Sequence, residues 1–245
     1  TAKVLSDAEA KFVLVSAKLQ NLLWSLVDTV PTLQKLITVE SLQDAKGTPT
    51  FPAIEPEDLA FLQYTSGSTS DPKGVMVTHA SLVANAQGIM NEGLLVDAKV
   101  DKGVSWLPLY HDMGLIGFVI APICQGIPVV YIPTLRFIKR PNVWLDTIHR
   151  HRGTISFGPN FAYALAERKA KPSDLEKWDL SCLRVLGCGA EPIQAETMRS
   201  FTKLFSEACG MPDTAIMPAY GMAEATLAIS LNRAPDRFKT LVCDA

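Results

Sequence analysis

Paired cysteines, a surplus of basic charge and an unbroken membrane-length apolar run are all missing from this sequence. Its five cysteines are an odd number, without C-x-x-C spacing or histidines close by. Structural thiols are therefore expected ahead of a disulfide or metal role. Cys182 and Cys188 flank a predicted strand and Cys124 falls in an apolar helix, so core thiols in a reducing compartment, the cytoplasm, are expected. Lys and Arg number 23 against 25 Asp and Glu, a net charge of −2, and no aromatic–arginine ladder is present. No nucleic acid partner is expected from such a balance. Residues 113–135 carry no charge over a length that could cross a bilayer. Pro122, Pro128 and Pro133 break the run, Gln125-Gly126 interrupts it, and a helix followed by a buried strand is expected instead of a membrane span. No signal peptide, internal repeat or low-complexity tract is visible.

What is present describes a globular protein: 48% apolar and 20% charged residues over 245 positions. That length suits one large domain or two small ones. Ser6-Asp7-Ala8-Glu9 has the spacing of a capping box and predicts a helix start. A buried strand at 12–16, a helix at 18–27 and a strand at 33–39 follow, and the proline- and glycine-bearing residues 40–58 read as a connector. Residues 1–58 are thus expected to form a preceding α/β portion, and 59–245 the core.

Within that core, strands are predicted at 59–64, 74–77, 103–107, 127–132, 154–157, 183–187 and 215–218. Helices are predicted at about 79–92, from about 112, and at 141–152, 159–169 and 194–208. In the last, Met198, Phe201, Leu204, Phe205 and Ala208 share a face and Gly210 stops the helix. Near-continuous apolar strands alternating with helices make the fold class α/β, with mainly parallel sheets covered by helices on both faces. In such sheets ligands bind beyond the carboxyl ends of the strands. The distinctive segments 65–73, 110–114, 189–192 and 220–224 all follow predicted strands.

Tyr64–His79 is the most informative stretch. Thr65, Ser66, Gly67, Ser68 and Thr69 are followed by Lys73, with apolar residues on either side. Small residues let a loop wrap closely around an anion, so that backbone N–H groups, hydroxyls and one ammonium converge on its oxygens. A Walker loop would lead through Gly-Lys-Ser/Thr into a helix; here Pro72 precedes the lysine and a strand-like segment follows.

The order Thr-Ser-Gly-Ser-Thr-x-x-Pro-Lys-Gly resembles the phosphate loop of the adenylate-forming superfamily, which includes acyl-CoA synthetases, fatty acyl-AMP ligases, luciferases and peptide-synthetase adenylation domains. Three later segments extend the resemblance in the same order. Tyr-His-Asp-Met-Gly-Leu at 110–115 resembles the segment lining the carboxylate site, and Gly189-Ala190-Glu191-Pro192 the turn that contacts adenine. Tyr220-Gly221-Met222-Ala223-Glu224 resembles Tyr-Gly-x-Thr-Glu, in which the tyrosine stacks on adenine and the glutamate holds magnesium. Finer detail at 107–117, 158–163 and 220–227 resembles the fatty acyl-AMP ligases.

The resemblance implies part of the large N-terminal domain of an acyl-adenylate-forming enzyme, with ATP and magnesium as cofactors, and a fatty acid and an acyl carrier protein as partners. It implies that Lys73 and the hydroxyls of Ser66, Ser68 and Thr69 hold phosphates, that His111 orients the carboxylate or closes the channel, and that Glu224 binds the metal. Some of Met113, Leu115, Ile116, Phe118, Asn160 and Tyr163 are expected to line an acyl channel. Ala223 departs from the usual threonine, and Ser70 from the usual glycine. Asp112 leaves amino-acid activation open, since amino-acid-activating relatives place an aspartate near there. Acyl-CoA synthesis and a non-catalytic role in binding nucleotide or lipid also stay open. The chain starts at Thr1 and stops before the superfamily's hinge and C-terminal lysine, so the C-terminal domain is expected to be absent and the piece alone inactive.

Overall fold

The computed structural model describes residues 1–43, 46–65 and 73–241, in two compact units, Thr1–Ala80 and Ser81–Ala245. The 59–78 hairpin, assigned from sequence to the core, lies in the first unit.

The first unit holds α1 (Ala2–Asp7), β1 (Phe12–Val15), α2 (Ala17–Leu23), α3 (Leu26–Thr29), β2 (Lys35–Thr38), β3 (Leu59–Thr65) and β4 (Lys73–Thr78), and α4 (His79–Gln87) begins at its end. Strands β1 and β2 pair in parallel over a small core of Val15, Val30, Leu33 and Leu36. Residues 6–9 turn out to end α1 instead of starting a helix. Glu9 takes a positive φ of 47°, which no helix start tolerates. The helix expected over 18–27 is split between α2 and α3. The strand at 12–15 buries only Val15 fully, Phe12 and Leu14 being exposed.

After α4 and a π-helical turn at Gly88–Gly93, the second unit continues with β5 (Gly103–Ser105), α5 (Asp112–Leu115), a π-helical turn at Ile116–Ile120, α6 (Ala121–Gln125), β6 (Val129–Tyr131), α7 (Thr134–Lys139), α8 (Val143–His151), β7 (Ile155–Gly158), α9 (Asn160–Lys169), α10 (Pro172–Lys177), β8 (Val185–Cys188), α11 (Ala195–Cys209), β9 (Ile216–Gly221) and β10 (Ala228–Leu231). The sheet order is β10-β9-β8-β7-β5-β6, parallel throughout except for the antiparallel edge strand β10. Strands β7 and β8 are buried at every position, as a sheet covered on both faces requires. Strand β6 lies at the sheet edge and leaves Tyr131 exposed, so the expected buried strand there is only partly buried.

Helix α11 buries Met198, Phe201, Phe205 and Cys209, one stripe at helical spacing. Ala208, placed on that stripe from sequence, is exposed, and Cys209 takes its place. Gly210 caps α11 in the left-handed conformation, φ 68°, as expected. Cys188 and Cys209 are free thiols of the core, and burial pushes them up to about 12 and about 11. Cys124 is exposed and is not a core thiol. No helix among the described residues is long and apolar enough to cross a membrane.

Candidate functional site

Because β5, β7, β8 and β9 run parallel, the segments leaving their carboxyl ends emerge on one edge of the sheet. Those segments carry the residues singled out from sequence: 106–112 after β5, Asn160 after β7, 189–192 after β8, and 222–224 after β9.

The 189–192 turn is held by backbone fit and by side chains. A Cβ at Gly189 would stand 2.8 Å from the Ala219 carbonyl oxygen of β9, so only glycine permits this approach. Ala190 takes the left-handed conformation, φ 68°. The Phe161 amide at the start of α9 donates to Glu191 Oε1 at 2.6 Å, and the Gln194 amide donates to Asn160 Oδ1 at 2.9 Å. A carboxylate at a helix N-terminus meets unpaired N–H groups and the positive end of the dipole. Two reciprocal bonds thus tie the turn to α9. The Glu191 side chain is taken up by this tie. Asn160, expected on an acyl channel wall, is the other half of the tie. Its position at a helix start, three residues after Phe157, was the available signal for such a role.

The segment after β9 is built the other way round. Ala223 is buried as an anchor, while Tyr220 is 63% exposed and Met222 and Glu224 are exposed. The Met222 amide donates to the Leu227 carbonyl at 2.9 Å, and a Cβ at Gly221 would lie 1.9 Å from that oxygen. The backbone is locked and its side chains are offered to solvent. Ala223, which departs from the threonine of the resembled motif, is 6% exposed.

His111 caps the start of α5, and its Nδ1 lies 2.6 Å from Asp112 Oδ1. The Met113 amide is 2.6 Å from the same carboxylate oxygen and 3.3 Å from His111 Nδ1. A protonated Nδ1 cannot also accept, so both groups donate to Asp112. This hydrogen bond raises the His111 pKa above its ordinary value, against partial desolvation and with the Coulombic attraction of Asp112 added. The His111 ring is half exposed. A Cβ at Gly114 would stand 2.2 Å from the Pro108 carbonyl, so glycine lets α5 close onto the preceding loop.

The expected channel residues divide. Met113 and Leu115 are partly exposed, whereas Ile116 and Phe118 are buried in the core. Tyr163 is fully enclosed, with its hydroxyl donating to the Gly187 carbonyl at 2.6 Å and its ring edge-on to Trp144 and Phe201. It is a core tyrosine and lines no channel; sequence alone could not separate the two, because either role needs an aromatic on that helix face.

In the first unit, Thr65 and Lys73 are directly opposed across the β3–β4 hairpin, and Lys73 is exposed. The Tyr64 hydroxyl donates to Asp7 Oδ2, which lifts the phenol to about 12. Ser66, Gly67, Ser68 and Thr69, the expected phosphate cradle, lie outside the described residues. Among the described residues no cluster of three or more His, Cys, Asp or Glu could hold a metal ion. Glu224 alone still fits magnesium, which is bound through one or two carboxylates together with substrate phosphates.

Comparison with known proteins identifies the family of the chain. The family model described as AMP-binding enzyme matches residues 1–242. A Caulobacter vibrioides protein that carries an acyl-CoA synthetase name is 45% identical over 74% of the chain and 31% of its own length. A medium-chain fatty acid–[acyl-carrier-protein] ligase of Teredinibacter turnerae is 43% identical over 73% of the chain and 27% of its own length. A solved structure from work on fatty acyl-adenylate ligases of E. coli and L. pneumophila superposes with a TM-score of 0.90 at 36% identity, over 96% of this chain and 43% of that one. The L. pneumophila ligase in complex with acyl adenylate and pyrophosphate gives 0.83 at 34% identity, over 97% and 41%. The chain spans less than half the length of these relatives.

Proposed function

Because the chain belongs to the AMP-binding enzyme family, we propose that its protein activates a medium- or long-chain fatty acid. ATP and the acid give acyl-adenylate and pyrophosphate, and the acyl group then passes to the phosphopantetheine arm of an acyl carrier protein. The observation that carries this reading is the sheet edge itself. The fixed 189–192 turn leans on Ala219 of β9, one residue before exposed Tyr220 and five before exposed Glu224. An adenine-sized ring fits against an exposed tyrosine beside a rigid turn, and a carboxylate lies within the same segment for a metal that the phosphates bring.

In this reaction an anionic carboxylate attacks the α-phosphate, so repulsion has to be offset by cations and oriented donors. Lys73, Thr65 and the hydroxyls of Ser66, Ser68 and Thr69 serve the phosphates. Glu224 serves magnesium, whose charge stabilises the phosphate oxygens. His111, held by Asp112 and biased toward its protonated form, presents Nε2 to the carboxylate. Met113 and Leu115 supply apolar surface for the chain of the acid. The free thiols and the need for ATP suit the cytoplasm.

Engagement of Asp112 by His111 and the Met113 amide argues against its pairing a substrate ammonium, and hence against an amino-acid substrate. The Caulobacter relative keeps an acyl-CoA synthetase as the second reading. ATP–pyrophosphate exchange by the full-length protein, over fatty acids of increasing length and a panel of amino acids, tests the first step. Exchange that rises with chain length supports the proposal, and exchange driven by amino acids refutes it. Offering CoA and acyl carrier protein at equal concentration decides the acceptor, with the carrier expected to be acylated faster.

A further inference from the structure

A second feature of the larger unit is unrelated to the carboxyl edge. Between 134 and 177 the sequence has nine Lys and Arg against four Asp and Glu, in a chain whose net charge is −2. Lys139 and Arg140 at the end of α7, Lys169 at the end of α9 and Lys171 before α10 converge, with Asn142 and Asp174, on one cavity of about 340 Å³. The hollow is half open to solvent.

The floor of the cavity is fixed. Asn142 is buried, and its Nδ2 donates to the Lys169 carbonyl at 2.7 Å and to Asp174 Oδ2 at 2.6 Å, which joins the start of α8 to α9 and α10. Asp174 also accepts from the Lys171 amide at 3.3 Å. Its carboxylate is thereby held by the floor. None of the four cations forms an ion pair among the described residues, whereas nearby Arg150 and Lys177 are both paired with Asp146. Four like charges gathered round a rigid concave floor repel one another, a cost that an anion would remove.

We propose that this cavity binds a diphosphate group, free or carried by a nucleotide. The lining has four positive charges and one negative, and a diphosphate carries about three negative charges near neutral pH. The site shares no residue with the carboxyl edge. Asn160 opens α9 at that edge and Lys169 closes the helix at the cavity, about 13 Å further along at 1.5 Å per residue.

The test is calorimetric titration of the full-length protein with inorganic pyrophosphate and, separately, ADP, in a Lys73→Ala background that weakens the phosphate loop. The expected result is binding that persists in this background, weakens as salt is raised, and falls about tenfold or more when Arg140→Ala and Lys169→Ala are added. Tighter binding of ADP than of pyrophosphate assigns the site to a nucleotide; the reverse assigns it to free diphosphate. Both cations are exposed, and an unchanged thermal midpoint confirms that the variants fold. Absence of binding, loss of binding on Lys73→Ala alone, or indifference to Arg140→Ala and Lys169→Ala would overturn the proposal. None of these outcomes bears on fatty acid activation, which is read by pyrophosphate exchange.

Discussion

The turns that follow β8 and β9 lie side by side and are built in opposite ways. In 189–192 the only charged side chain, Glu191, faces back onto α9, and the backbone is what remains on offer. In 220–224 the backbone is occupied by the Leu227 contact, and the side chains of Tyr220 and Glu224 are what remain. Two turns at one sheet edge therefore contribute different things: a fixed wall, and a pair of exposed side chains. The difference predicts that replacing the Glu191 side chain acts through stability and position, replacing the Tyr220 or Glu224 side chain acts through chemistry, and the backbone lock of the second turn shows only at its glycine.

The largest effect on stability should come from the close backbone approach at the second turn. Gly221→Ala would force a methyl to within 1.9 Å of the Leu227 carbonyl, whereas Gly189→Ala meets the Ala219 carbonyl at 2.8 Å. Denaturant unfolding should show a loss of about 3 kcal/mol for the first and about half that for the second. Equal losses would remove the contrast in backbone locking. Tyr163→Phe leaves the Gly187 carbonyl, just upstream of the 189–192 turn, without its buried donor. A loss of about 1–2 kcal/mol is expected, with little change in fatty acid preference, because the residue is core and not channel. A shifted chain-length profile would restore it to the channel wall.

Smaller again are Glu191→Ala and Asn160→Ala, each about 1 kcal/mol by the same unfolding measurement. A double-mutant cycle between them should show coupling, since both fasten one turn to one helix. The smallest effect is electrostatic. Asp112→Asn should lower the His111 pKa, read from the imidazole resonances. A raised folded-state pKa contributes stability that is present below the ordinary histidine value of about 6.5 and is lost as pH rises through the higher folded value. The variant should lack that pH dependence.

Much of the sheet was legible because buried parallel strands are apolar runs, and the end of α11 because Gly210 can take a positive φ. Helix α7 went unseen because it is a single short segment directly after Pro133. Helix α10 went unseen for the same reason, being six residues opened by Pro172. Edge strand β10 was hidden because its burial pattern lacks strict alternation. The capping-box spacing at 6–9 misled because the same residue types also end helices. At the site, motif order located the turns, but no spacing could show that Glu191 and Asn160 bond to main-chain amides across about thirty residues of sequence. Nor could it show that Tyr163 is sealed; both facts depend on which helix start meets which turn.

The contrast between the two turns is tested most directly by comparing Glu224→Gln with Glu191→Gln in fatty-acid-dependent ATP–pyrophosphate exchange by the full-length protein across a magnesium titration. Glu224→Gln should cut the rate by more than about tenfold, the loss of roughly one charge-assisted contact, and move the magnesium midpoint upward without altering fatty acid affinity. Glu191→Gln should keep a near-normal rate and an unmoved midpoint. Overlaid magnesium curves for wild type and Glu224→Gln, or an equal fall in rate for both variants, would contradict the assignment of chemistry to one turn and support to the other.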